Sequence, residues 1–129
     1  ENGIKYGDVV EKVNFPYAAK LTAVNALALA GLAAAPPTPQ NVMIGGVVEP
    51  STRLKWDAVE AKNLAGYKVY WRDTTAPQWQ YSRFVPANVT DYTLKNIVID
   101  NYLFGVAAVD KNGNESLVVY PQTLIPRPR

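Results

Sequence analysis

The side chains able to move protons or hold metals set the first limit. The 129 residues contain no His and no Cys. That removes disulfides, thiol nucleophiles, thiolate metal sites and every mechanism built on an imidazole base or ligand. Asp, Glu, Lys, Tyr and Ser remain. Carboxylate pairs such as Asp57 with Glu60, or Asp91 with Asp100, could in principle serve as acid and base. With 11 Asp and Glu in the chain such pairs are common, and solvated surface is their default reading. Asp110-Lys111-Asn112-Gly113-Asn114-Glu115 superficially resembles a calcium loop. The EF-hand pattern needs Gly at its sixth position and a bidentate Glu at its twelfth, and Gly113 is fourth, so an Asn-Gly hairpin turn is the better reading. Asn88-Val89-Thr90 and Asn114-Glu115-Ser116 fit the N-glycosylation acceptor pattern. That pattern carries meaning only in a secreted eukaryotic protein. No arrangement specifies a reaction, so no catalytic, cofactor or metal residue is expected in this chain.

The elements that hold these residues follow from composition and periodicity. Hydrophobic residues make up 48% and charged residues 19%, enough to build a packed core. A net charge of +2 is too weak for a nucleic-acid footprint. Nine Ala fall between Tyr17 and Ala35, where Tyr17, Lys20, Thr22 and Asn25 are the only polar side chains. Ala has the best helix propensity, Asn14 is an N-cap candidate, and Pro16 is tolerated in a first turn. Val24, Leu27 and Leu32 lie along one side of this helix, and Leu21 and Leu29 widen the stripe. A helix apolar nearly all round is normally buried. A transmembrane span is disfavoured by Lys20, Thr22, Asn25 and the weak apolarity of Ala. A signal peptide is disfavoured by the mixed charges of residues 1–12. The favoured reading is a helix from a larger domain whose other elements lie elsewhere.

Pro36, Pro37 and Pro39 stop the helix and favour extended backbone. The expected organisation is a helical segment at 1–35, a Pro-rich linker at 36–39 and a strand-rich domain at 40–129. Seven strands are drafted at 40–44, 52–56, 66–72, 78–85, 92–94, 102–109 and 117–120, by alternation and by the turn residues between them. Strands at this spacing suggest a two-sheet antiparallel sandwich. The inward set is Leu54, Trp56, Tyr67, Val69, Trp71, Leu94, Tyr102, Phe104, Val106 and Ala108.

Pro39-Gln40-Asn41-Val42, Leu54-Lys55-Trp56, 66–72, Tyr92-Thr93-Leu94, 102–109 and Gly113 together resemble a fibronectin type III domain over roughly 37–120. The implied fold class is mainly β: an immunoglobulin-like antiparallel β-sandwich of about seven strands behind an N-terminal Ala-rich helix. The family usually places a Pro ahead of its conserved Tyr, and residues 96–101 have none. No Arg-Gly-Asp motif is present. The first 35 residues resemble something else. Gly7-Asp8-Val9-Val10-Glu11-Lys12-Val13-Asn14, followed by Tyr17 and the Ala/Leu helix, resembles the C-terminal end of the catalytic domain in zinc aminopeptidases of metallopeptidase family twenty-eight. Some bacterial members of that family append a fibronectin-like domain. This resemblance implies an extracytoplasmic bacterial parent (periplasmic, cell-surface or secreted), with zinc held by His, Asp and Glu residues upstream. None of that metal site carries over, and Asp8 is not a ligand. The chain would then be a non-catalytic accessory module, its partner the catalytic domain of the same parent chain, with no nucleic acid and no membrane span.

By alternation, Tyr70, Leu103, Ala107 and Val109 point away from the core, joined by one of Trp79 and Tyr81 depending on register. Tyr70, Trp79, Tyr81, Leu103 and Val109 are therefore the candidate binding residues. An outward apolar patch on a half-buried sheet usually marks an interface. Three readings stay open: misassigned alternation or loop cover, docking against a catalytic domain, and stacking of sugars or a peptide on the aromatics. A free-standing glycan- or protein-binding module is the alternative function.

Overall fold

A computed structural model describes Gly3, Gly7 and residues 9–126. Asp8 lies outside the described residues. The chain divides into two units, one ending at Ala34 and the other beginning at Ala35.

The first unit holds a 3-10 turn, Val10–Lys12, and helix α1, Phe15–Ala34. Asn14 starts the helix as its short amide allows, with Oδ1 accepting the Tyr17 N–H at 3.1 Å. Pro16 sits in the first turn, where no intrahelical donor is lost. Twenty residues give a rod of about 30 Å. Its apolar side chains are open to solvent: Val24 is 63% exposed, Leu27 74% and Leu29 67%. Among the described residues, α1 is the one helix long and apolar enough to cross a membrane by length and composition. Core helices and signal sequences share those properties.

The second unit is a two-layer sandwich. Its strands are β1 (Met43–Gly45), β2 (Thr52–Lys55), β3 (Leu64–Asp73), β4 (Tyr81–Pro86), β5 (Asp91–Leu94), β6 (Tyr102–Asp110) and β7 (Thr123–Leu124). One sheet runs β5-β2-β1-β7 and the other β4-β3-β6. All pairs are antiparallel except β1 with β7. Alternation on β2 and β3 sends Leu54, Tyr67, Val69 and Trp71 into the space between the sheets, with Trp56 just beyond β2. Phe104, Val106 and Ala108 come from β6, and Leu94 from β5. Val42 and Val85 belong to this core too, outside the inward set drawn from sequence. Tyr102 packs against the core while staying partly exposed. Trp56 and Tyr67 meet edge to face at 5.2 Å, and the Tyr67 hydroxyl accepts the Val59 N–H at 2.8 Å, so this fully buried tyrosine keeps its polar end satisfied.

Three sequence expectations change. The segment at 117–120 forms no regular strand. Residues 114–119 do run beside β6, exchanging both backbone bonds between Val106 and Val119 at 2.9 and 3.0 Å. At Ala108, however, the N–H donates to Ser116 Oγ instead of to a carbonyl, and this side chain breaks the ladder. Pro121 follows, and the chain then joins the other sheet, where Gln122 and Ile125 donate to Val42 and Ile44. The seventh strand is therefore β7, a parallel neighbour of β1. Second, β4 begins at Tyr81 and leaves Trp79 outside the strand. Third, Pro36 and Pro39 are buried in the second unit. The Asp57 N–H donates to the Gln40 carbonyl at 2.9 Å and ties down the chain just after them.

Candidate docking face

The outward face of the β4-β3-β6 sheet gathers the candidate residues around a glycine. Tyr70 on β3 is in register with Gly105 on β6. A methyl group at Gly105 would lie 3.1 Å from Trp79 Cη2 and closer still to Val118 Cγ1. The indole of Trp79 thus covers the spot where β6 lacks a side chain. It continues as a row of rings, with Tyr70 at 5.7 Å on one side and Tyr120 at 5.3 Å on the other. The Arg72 guanidinium stands 5.6 Å from the Trp79 ring centroid, and Arg72 Nη1 donates to the Ala76 carbonyl in the loop that carries Trp79.

Below this row lies one polar cluster. Glu115 accepts a hydrogen bond from the Tyr70 hydroxyl at 2.5 Å and pairs with Lys68. Burial pushes the Tyr70 phenol well above its ordinary range, and the bond to Glu115 adds to that. Burial alone would raise the Glu115 carboxyl, yet the bonds from Lys68 and Tyr70 outweigh it and hold the group below the usual carboxylate range. The result is a fixed, engaged anion rather than a free base.

The structure brings Tyr70 and Trp79 together and separates the other candidates. Tyr81 is in register with Trp71 and stacks on it at 5.6 Å, so it lies on the core-facing side, beside Tyr102. Trp79, not Tyr81, therefore belongs to the outward face. Leu103 is half-buried. Val109 and Ala107 point outward by alternation but are buried, Val109 with 7% exposure. The neighbouring run at 114–119 pairs beside β6 at Val106 and Val109, and the Val118 side chain reaches over Gly105. Lys68 shares the outward face that alternation gives Tyr70, but its pairing with Glu115, and the parts of Val118 and Tyr120, escaped the sequence reading. The signal for Val118 and Tyr120 was the outward-facing Gly105, a gap that neighbouring side chains had to fill.

The acidic turn at Asp110 is occupied by its own loop. Its Oδ1 accepts the Asn112 and Asn114 backbone N–H groups at 2.9 and 2.8 Å. Its Oδ2 accepts the side-chain amides of Asn63 and Asn114, both at 3.0 Å. The Asn114 amide, with the loop N–H groups behind it, holds this carboxyl below its ordinary value. Of the carboxylate pairs, Asp91 is engaged by Arg53 at 2.7 and 2.5 Å, and Asp57 accepts the Asn41 amide at 2.6 Å.

No protein-family model matches the chain. It is 38% identical over 122 residues to a probable zinc metalloprotease of Pyrenophora tritici-repentis, a match covering 94% of this chain and 25% of that protein. A probable zinc metalloprotease of Leptosphaeria maculans is 42% identical over 122 residues, covering 94% of this chain and 28% of its own length. The chain thus spans about a quarter of these curated relatives. They are fungal, whereas the resemblance drawn from sequence implied a bacterial source. Among solved structures, the fn3 domain of the human collagen alpha-1(XX) chain aligns with TM-score 0.54 at 18% identity, over 74% of this chain and 92% of that one. The fn3 domain of human contactin 1 aligns with TM-score 0.53 at 15% identity, over 72% and 83%. The sandwich has the fibronectin type III fold, and fungal homologues named probable zinc metalloproteases match the chain across both of its units.

Proposed function

We propose that this chain is a non-catalytic accessory part of a larger secreted zinc exopeptidase-like protein. In this reading α1 is the last helix of the catalytic domain and the sandwich is an appended module that orients or extends the substrate surface. One observation carries it: 94% of the chain aligns with a quarter of a probable zinc metalloprotease, and that stretch has no His to build the zinc site. The ligands and zinc would then belong to the remaining three quarters. The assignment to metallopeptidase family twenty-eight rests on the residue pattern at 7–14.

The helix supports this reading. Val24, Leu27 and Leu29 present apolar surface that a soluble protein does not ordinarily leave open. The catalytic domain of the same parent chain is the occupant argued for, because the homologous proteins contain far more chain than is present here. Lys20 and Asn25 within α1 favour a protein neighbour over lipid.

The test compares the parent protein with this chain in an aminopeptidase assay, with and without a zinc chelator. The parent should show chelator-sensitive hydrolysis and the isolated chain none above background. Chelator-sensitive hydrolysis by the purified chain, or none by the parent, overturns the proposal.

A further inference from the structure

The two glycosylation patterns occupy opposite structural situations. In Asn114-Glu115-Ser116, the Asn114 amide donates to Asp110 at 3.0 Å, and Ser116 is buried with its hydroxyl joined to Ala108 and Leu117. A sugar on that amide would have to enter the turn that closes the hairpin. In Asn88-Val89-Thr90, Asn88 is exposed in a turn closed by the Val89 N–H on the Pro86 carbonyl at 2.9 Å. Neither the Asn88 amide nor the Thr90 hydroxyl makes a hydrogen bond among the described residues. The backbone around them is nonetheless fixed. Val89 packs against the core, and the Thr90 carbonyl accepts the Trp56 N–H at 3.0 Å. Asn88 is thus an anchored, outward-facing acceptor amide, two residues past the end of β4.

We propose that Asn88 carries an N-linked glycan and that Asn114 does not. The inference rests on the secreted placement proposed above, and the fungal relatives supply the eukaryotic setting that makes an Asn-x-Thr pattern meaningful. The position also suggests what the glycan does. β4 is an edge of its sheet, with Tyr81 and Phe84 exposed along it. A bulky hydrophilic group beside its end would obstruct pairing with a strand of another chain.

The full chain, fused to a yeast secretion leader, can be recovered from culture medium, mapped by peptide mass spectrometry and treated with an endoglycosidase. One hexosamine-bearing peptide containing Asn88 is expected, with an electrophoretic shift that Asn88→Gln and Thr90→Ala both abolish. Thr90→Ala leaves the backbone bond to Trp56 in place and so controls for misfolding. No glycan on the secreted chain, or a glycan that persists in Asn88→Gln, overturns the proposal. The protein isolated from its own organism separates the two claims. If Asn88 is modified in yeast and bare in the native protein, the acceptor geometry is competent but the proposal falls together with the secreted placement.

Discussion

At Glu115 one carboxylate is held by the Lys68 ammonium and the Tyr70 hydroxyl. Its folded carboxyl lies below the ordinary value, so its contribution to stability is present above about pH 4.3 and is lost as pH falls through the depressed folded value. Tyr70 works in the opposite sense. Its folded phenol is raised, so its contribution is present below about pH 10 and is lost as pH climbs through the folded value. Thermal melts across pH should therefore show a plateau between an acid and an alkaline decline. Glu115→Gln should flatten part of the acid arm and Tyr70→Phe part of the alkaline arm; unchanged profiles would contradict the cluster. Gly105 makes a steric prediction. A methyl there meets Val118 and Trp79, and overpacking of this kind costs about 1–3 kcal/mol. Gly105→Ala should lower the unfolding free energy by that amount in urea titrations, and adding Val118→Ala should recover part of it. Tyr70 and Trp79 were legible as outward aromatics. That they are bound into the sheet, one by Glu115 and one over Gly105, was not, because the partners lie 45 and 26 residues away and a period of two names only the face.

Among the elements, the long central strands read well and short edges did not. β3 alternates from Tyr67 to Arg72 and β6 is apolar along nearly its whole length, and both fall within two residues of the drafted ends. Asn14 capped α1 as its chemistry required. The last strand failed because its ladder is interrupted by a side chain, Ser116 Oγ, and because Pro121 passes the chain to the other sheet. Neither event alters hydrophobic periodicity, so neither shows in it. The Pro-rich segment makes an element-scale prediction. Residues 35–129 should unfold cooperatively on their own in urea, since they contain the buried core found among the described residues. Beginning instead at Gln40 removes Pro36 and Pro39 from buried positions and should lower the urea midpoint. Equal midpoints for the two fragments would show that the prolines serve only as a spacer.

For the whole molecule, fold and function were legible to different depths. A sandwich core of Trp, Tyr and Val at two-residue spacing is written in the sequence, because burial demands it. A docking partner is not, because in the proposed reading its residues lie outside this chain, which spans about a quarter of the length of its fungal homologues. The most direct measurement is therefore the sequence of the transcript upstream of the Glu1 codon, read together with the intact mass of the mature native protein. An open frame continuing upstream through the His, Asp and Glu ligands of a zinc peptidase is expected, with a mature mass well above 14.2 kDa. A native protein of about that mass, from a gene with no hydrolase encoded ahead of Glu1, would contradict the proposed function.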